Sequence, residues 1–244
     1  MRDYELELKD RIGFIRGSLQ AAGAQGIVYG NSGGKDSALV GILCKLACEN
    51  TVGLIMPCRS KRNYDQDRKD AEAVAAAFGI ETRVVDLQPV LSEMEKAAGQ
   101  AVQLSETARV NMPPRLRMAL LYAVAASENR LVAGTGNRSE AFMGYFTKWG
   151  DGAYDFNPIA DLTVTEIYDF LRFLKAPACV LEKAPSAGLY DGQTDEGEMG
   201  VTYAQIDAFL TGGSVPETAR EIIVRYHQAS QHKRRLPLAY GGRR

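Results

Sequence analysis

The densest chemistry in the chain lies in the run Gly30-Asn31-Ser32-Gly33-Gly34-Lys35-Asp36-Ser37. Closely spaced glycines let successive backbone N–H groups face one anion, and Ser32 and Ser37 add hydroxyl donors. The apolar Ile27-Val28-Tyr29 before the run reads as a short strand, and residues 36 to 48 read as a helix. The loop therefore opens a helix whose N-terminus contributes partial positive charge. It is not a Walker loop, which needs four residues between its glycines and then Lys-Ser/Thr. Here three residues separate Gly30 from Gly34, and Asp36 follows Lys35. The dinucleotide pattern G-x-G-x-x-G is absent as well. A carboxylate beside a polyphosphate is repelled unless a divalent cation lies between them, so Asp36 predicts Mg²⁺-bound pyrophosphate chemistry.

A second cluster runs from Leu131 to Pro158 and reads LVAGTGNRSEAFMGYFTKWGDGAYDFNP. Leu131-Val132-Ala133 is a strand opening into glycines. Glu140 follows at the first turn of a short helix, where it could share the Mg²⁺ with Asp36; a helix-start acid favoured by the dipole is the alternative. Thr135 offers a hydroxyl in a glycine turn, suited to a nucleotide or simply to the turn. Taken alone, Lys148 and Asp155 are surface charges, Arg115 a helix-start arginine, and His232 with Lys233 part of a basic tail.

The elements that must position these groups alternate. An amphipathic helix over residues 3 to 22 precedes the first strand. Thr51–Met56 and Thr82–Leu87 read as further strands, and Asp65–Phe78 as a helix stopped by Gly79. Arg115–Ser127 reads as a helix after Pro113-Pro114, and Ile167 to Leu174 as another, capped by Thr163 or Thr165. Strands separated by helices imply a doubly wound parallel α/β sheet flanked by helices, with ligands beyond the strands' carboxyl ends. Gly188–Gly200 is expected to be a mobile loop, and Gln231–Arg244 a basic tail without periodicity. All 244 residues fit one domain.

Composition narrows the partners. Lysine plus arginine total 29 and aspartate plus glutamate 30, a net charge of -1, so nothing points to nucleic acid or to a membrane surface. The longest apolar run, Met118–Ala126, is far short of the ~20 residues a membrane helix needs. The N-terminus carries no apolar leader segment. Four cysteines (Cys44, Cys48, Cys58, Cys179) make no disulfide framework at this size, and a reducing cytoplasm is expected. Cys44 and Cys48 read as core thiols, since a zinc site would need further ligands and only His227 and His232 are available. Arg59 and Lys61 read as loop cations close to the polyphosphate.

The Ser32–Ser37 run resembles the S-G-G-x-D-S signature of the N-type ATP pyrophosphatases, which cleave ATP between the α and β phosphates to form an adenylate. The second cluster resembles the NAD⁺ synthetases, with a G-T-x-N-x-S-E turn, then G-Y-x-T-K-x-G-D-G and an aspartate before N-P. Asn111–Leu121, Pro185-Ser186-Ala187, Asp191–Glu196 and His232-Lys233-Arg234 extend the resemblance over about residues 27 to 235. It implies an adenine nucleotide alpha hydrolase-like fold and ATP-dependent amidation of deamido-NAD⁺ by ammonia, giving NAD⁺, AMP and pyrophosphate. It implies that Gly30 to Ser37, Thr135 and Ser186 bind ATP and that Asp36 and Glu140 hold Mg²⁺. Arg115, Lys148, Asp155, His232 and Lys233 are then contacts to deamido-NAD⁺, with Asp36, Lys148 and Asp155 acting in catalysis. Asp155 or Asp151 is the candidate to take a proton from ammonium. Members are typically homodimers, and Met118–Ala126 is the candidate interface helix, or else an ordinary core helix. Glutamine use would need an added amidase domain, so ammonia is the expected nitrogen source. One departure stands out: where many members carry lysine in L-T-K-T, this chain has Val164, leaving Lys35 or Lys183 to supply the cation. A tRNA-modifying member of the superfamily, or a non-catalytic nucleotide-binding regulator, are the competing readings; the near-zero net charge counts against the first, and Asp36, Glu140 and the loop serines against the second.

Overall fold

The computed structural model describes residues 2–183 and 194–240. The chain opens with α1 (Tyr4–Ala22), started by the Asp3 carboxylate accepting from the Glu5 and Leu6 N–H groups and ended by Gly23 at φ +62°. Then follow β1 (Gly26–Gly30), α2 (Lys35–Ala47), β2 (Thr51–Ile55), the short α3 (Lys61–Tyr64), α4 (Gln66–Phe78) and β3 (Glu81–Val84). Next come α5 (Gln88–Gly99), α6 (Glu106–Glu128), β4 (Arg130–Ala133) and α7 (Arg138–Met143). The remainder is helical: α8 (Val164–Phe173), α9 (Ala178–Leu181), α10 (Asp195–Met199), α11 (Tyr203–Leu210) and α12 (Glu217–Ala229), then a 3-10 turn at Gln231–Lys233.

The four strands are parallel in the order β3-β2-β1-β4. Side chains alternate along β1. Ile27 and Tyr29 enter one cluster with α1, α2, α4 and α8 residues, whereas Val28 enters the other with Leu91 of α5 and Ala125 of α6. This is the expected doubly wound arrangement, because the central strand β1 has apolar residues for both faces. A third cluster joins Met143, Val164, Met199, Tyr203, Ile206 and Ile223 from the later helices. The chain steps outward from β1 to β3 and then returns to the other side of β1 for β4. The crevice of the sheet thus lies between the carboxyl ends of β1 and β4.

Two expectations need correction. The helix expected from Arg115 begins at Glu106, so Pro113 and Pro114 lie inside α6. Each proline removes one helical hydrogen bond. The helix persists because Ser105 caps it, accepting from the Ala108 N–H at 3.2 Å, and because both rings are buried. Within Gly188–Gly200, expected to be a loop, Asp195–Met199 forms α10, while residues 188–193 lie outside the described residues. The helices α5, α11 and α12 carried no expectation.

One close contact sets the spacing of α2 on the sheet. A Cβ at Gly41 would lie 2.3 Å from the Tyr29 hydroxyl oxygen and 2.5 Å from its Cζ. Tyr29 is wholly buried and cannot swing away. Overpacking of this kind costs about 1–3 kcal/mol, more than the ~1 kcal/mol an alanine gains in helix propensity. Gly41→Ala should therefore lower the denaturant midpoint. An unchanged or raised midpoint would show that α2 moves freely on the sheet.

Candidate active site

A cavity of about 600 Å³ opens at the crevice. Its floor is the loop after β1. Asn31 is buried, its N–H donating to the Leu54 carbonyl at 2.8 Å and its Nδ2 to the Ala71 carbonyl at 3.2 Å, which ties the loop to β2 and α4. Gly33 adopts φ +71°, and a Cβ there would meet the Asp67 carbonyl oxygen at 2.1 Å. Only glycine permits both the backbone conformation and the approach to α4. Ser32 and Ser37 hydroxyls lie 3.1 Å apart, and the Ser37 hydroxyl donates to the Gly34 carbonyl at 3.0 Å. Gly34 caps α2 with no side chain, so the first N–H groups of that helix face the cavity without a side-chain partner. The loop thus brings backbone N–H groups and two hydroxyls to the cavity. Gly30, Asn31, Ser32, Gly34, Lys35, Asp36 and Ser37 line the cavity, and Gly33 turns its back on it to pack against α4.

Asp36 and Glu140 meet across the crevice through Asn137. The Asn137 Nδ2 donates to Asp36 Oδ1 at 3.1 Å, and its backbone N–H donates to Glu140 Oε2 at 3.2 Å. Asn137 also caps α7 by accepting from the Glu140 N–H at 2.9 Å. Burial first, and then the negative charge of Asp36, push the Glu140 carboxyl well above the usual carboxylate range. Lys35 Nζ lies 2.8 Å from Asp36 Oδ2 and over the Tyr203 ring. Burial opposes the Lys35 charge, but Asp36 and Glu140 outweigh it and hold the ammonium above its ordinary pKa. Two carboxylates brought to one point, the Glu140 carboxyl resisting ionisation beside the Asp36 charge, suit a Mg²⁺ ion, which takes one or two carboxylates together with phosphate and water. Among the described residues no cluster of three ligands forms a self-sufficient metal cage.

The remaining expected residues separate. Thr135 and Lys233 line the cavity. Lys233 Nζ donates to the Gly144 and Phe146 carbonyls, each at 2.8 Å. Arg115, Lys148, Asp155 and His232 are not among the lining residues. Three of these gather outside it, with Lys148 Nζ donating to the His232 carbonyl at 2.8 Å and Arg115 Nε to the Lys148 carbonyl at 3.4 Å. Asp155 completes the edge of β4: its Oδ2 accepts from the Val132 N–H at 2.7 Å and its Oδ1 from the Tyr122 hydroxyl at 3.2 Å. Ser186 lies outside the described residues. Val164 is buried in the third apolar cluster. Arg59 and Lys61 do not line the cavity: Arg59 pairs with Glu95 and Lys61 is exposed, while Arg62 lines it.

Several lining residues escaped the sequence reading. Arg117 donates from Nε to the Met56 carbonyl at 3.1 Å and from its terminal nitrogen to Asn63 Oδ1 at 3.2 Å. Residues two apart on a helix point roughly oppositely, so of Arg115 and Arg117 only one can face the cavity. The missed start of α6 hid which. Asp67, of α4, also lines the cavity beside Arg62 and Lys183. Asp151 stood only as one of two candidate bases. Its carboxylate accepts from the Thr147 N–H at 2.9 Å, and burial pushes it above the ordinary aspartate range despite the nearby Lys233 and Arg117.

The chain is 43% identical over 240 residues to the NH(3)-dependent NAD(+) synthetase of Carboxydothermus hydrogenoformans, covering 96% of this chain and 97% of that one. Among solved structures it resembles an NMN synthetase from Francisella tularensis, with TM-score 0.93 and 38% identity over 98% and 99% of the two chains. It also resembles an NH3-dependent NAD synthetase from Campylobacter jejuni in complex with the nitrate ion, with TM-score 0.80 and 30% identity over 99% and 100%. The NAD synthase family matches residues 7–237, from α1 to beyond the 3-10 turn, and so takes in the whole crevice; this chain belongs to that family.

Proposed function

We propose that this chain joins ammonia to the nicotinate carboxylate of deamido-NAD⁺, consuming ATP and releasing NAD⁺, AMP and pyrophosphate. The observation that carries the reading is the pairing of Asp36 with Glu140 through Asn137, directly at the uncapped N-terminus of α2. The nicotinate carboxylate attacks the α-phosphorus of ATP, and the bond to the β-phosphate oxygen breaks. The loop N–H groups, Ser32, Ser37 and Lys35 take up the charge of the departing pyrophosphate. Lys35 supplies the cation that Val164 does not. Asp36 and Glu140 would hold Mg²⁺, which would supply electrostatic stabilisation of the phosphate oxygens. Ammonia then attacks the adenylated carboxyl carbon, AMP leaves, and Asp151 accepts a proton from the nitrogen. Thr135 lies on the nucleotide side and Lys233 faces the substrate. Arg115, Lys148 and His232, beside the cavity, are positioned to meet the part of a dinucleotide that extends out of it, while Asp155 supports them from the β4 edge. Residues 1–244 act as one domain.

The half-buried apolar side chains of α6, including Leu116, Leu120 and Val124, fit a homodimer interface. No described helix is long and apolar enough to cross a membrane, and we place the activity in the cytoplasm with no nucleic-acid partner.

The closeness of the Francisella tularensis NMN synthetase fold favours a second reading, in which nicotinate mononucleotide is the acceptor. One assay tests both: ATP and ammonium supplied with either acceptor, and AMP and the amidated product resolved. Turnover of neither acceptor would overturn the amidation reading, and the ratio of kcat/KM values assigns the substrate.

Asp151 also predicts a pH profile. A carboxylate base works only when deprotonated, and burial raises its pKa, so activity at constant free ammonia should rise through an acid limb above the ordinary aspartate range. Asp151→Asn should flatten that limb and lower kcat by about a hundredfold. An unchanged limb in the variant would assign the proton to another group.

A further inference from the structure

The ammonium of Lys183, just beyond α9, reaches three oxygens. It lies 2.7 Å from Asp67 Oδ1, 2.7 Å from Asp70 Oδ2 and 3.0 Å from the Gly33 carbonyl oxygen. The contacts to Asp70 and to the Gly33 carbonyl are hydrogen bonds, and the Asp67 contact is an ion pair. The group is secluded: the Lys183, Asp67 and Asp70 side chains are 14%, 12% and 4% exposed. Its carboxylates are themselves held. Asp70 Oδ1 accepts from Gln66 Nε2 at 2.7 Å, and Asp67 Oδ2 accepts from Asn63 Nδ2 at 2.8 Å. Arg62 Nε adds a second cation 3.1 Å from Asp67 Oδ1, so two positive charges balance two negative ones.

The consequence lies in the peptide between Gly33 and Gly34. In a trans peptide the C=O and the following N–H point in opposite directions. Anchoring the Gly33 carbonyl toward α4 therefore turns the Gly34 N–H back into the loop, where it faces the Ser32 hydroxyl at 3.3 Å. A peptide flanked by two glycines has no Cβ on either side to resist a flip. A flipped peptide would aim a carbonyl oxygen into the anion cradle and remove one of its donors.

We propose that Lys183 is a positioning residue for the ATP step: through Asp67 and Asp70 it is fixed on the Gly33 carbonyl and holds the Gly33–Gly34 peptide in its anion-binding orientation. This rests on the reading of the loop as the ATP site. It differs from the alternative in which Lys183 is itself a phosphate ligand, because its ammonium is already held by Asp67, Asp70 and the Gly33 carbonyl.

The two roles predict opposite effects at Asp70. If Lys183 bound phosphate directly, Asp70→Asn would free its charge, remove a nearby negative one and tighten ATP binding. If it positions the loop, the same change loosens it from Gly33 and weakens ATP binding. Purified full-length wild type, Lys183→Met and Asp70→Asn are compared by calorimetric binding of ATP and by steady-state turnover, with thermal melting as the folding control. We expect both variants to bind ATP about tenfold more weakly, the loss of one charge-assisted hydrogen bond. KM for ATP should rise more than kcat falls, and KM for the nicotinate acceptor should stay within about twofold, as for an independent site. Unchanged or tighter ATP binding by Asp70→Asn would overturn the proposal, whatever Lys183→Met does, and so would unchanged binding by a folded Lys183→Met. If Lys183→Met fails to fold, Asp70→Asn decides alone. A wild-type chain that binds no ATP would instead overturn the proposed function, and the positioning role with it.

Discussion

Asp36→Asn and Glu140→Gln should each reduce turnover by about a thousandfold at limiting Mg²⁺, while leaving the fold intact. The two carboxylates meet at Asn137, and the charge of Asp36 is one reason the Glu140 carboxyl resists ionisation. Two such groups beside a triphosphate add repulsion unless a divalent cation joins them, and each amide removes one charged oxygen donor from that cation. The amides preserve the hydrogen bonds from Asn137, since an asparagine at 36 can still accept from its side chain and a glutamine at 140 from its backbone N–H, while the pair between Asp36 and Lys35 is lost. Melting temperatures should therefore separate a lost ligand from a lost fold. Raising Mg²⁺ should recover part of the activity. Near-normal rates for both variants at limiting Mg²⁺ would make the shared-metal assignment wrong.

Gly33→Ala is the second large effect. Alanine in the left-handed region costs roughly 1–2 kcal/mol, and its Cβ would also press on the Asp67 backbone oxygen, which cannot rotate aside as a side chain would. The loop must leave α4, and with it goes the aim of the N–H groups at the start of α2. We expect kcat/KM for ATP to fall by about a thousandfold, as for loss of the main electrostatic stabiliser. Gly34→Ala supplies the contrast. Gly34 has φ -94°, and its added Cβ would meet nothing nearer than the Ser32 hydroxyl at 3.4 Å. That variant should keep most of its activity. Comparable losses in the two variants would mean that the loop tolerates no added atom anywhere, and that the contact with α4 is not what matters.

The loop after β1 was legible in the chain because its features are local. Glycines, hydroxyls and a helix start within eight residues make an anion site wherever they are placed, and the acid after Lys35 calls for a cation. The alternation of strand and helix, the short helix carrying Glu140 and the core role of Cys44 were legible for the same reason: each depends on periodicity or on near neighbours. Other features depend on which face of an element meets which neighbour. The choice between Arg115 and Arg117 turns on the phase of α6, and that helix begins ahead of two prolines that ordinarily mark a boundary. Asp155 looked free to act on substrate, but β4 is an edge strand, and its unpaired Val132 N–H takes the carboxylate. Val164 sits in an apolar cluster built from helices far along the chain. Lys183 meets Gly33 across 150 residues and the aspartates of α4 across more than a hundred. Sequence by itself determined the glycine-rich loop at the start of a helix and the two carboxylates, Asp36 and Glu140, that the fold brings to its crevice. Tertiary structure alone decided which cations surround that crevice, because a long charged side chain acts where its tip is carried, and packing between distant elements sets that place.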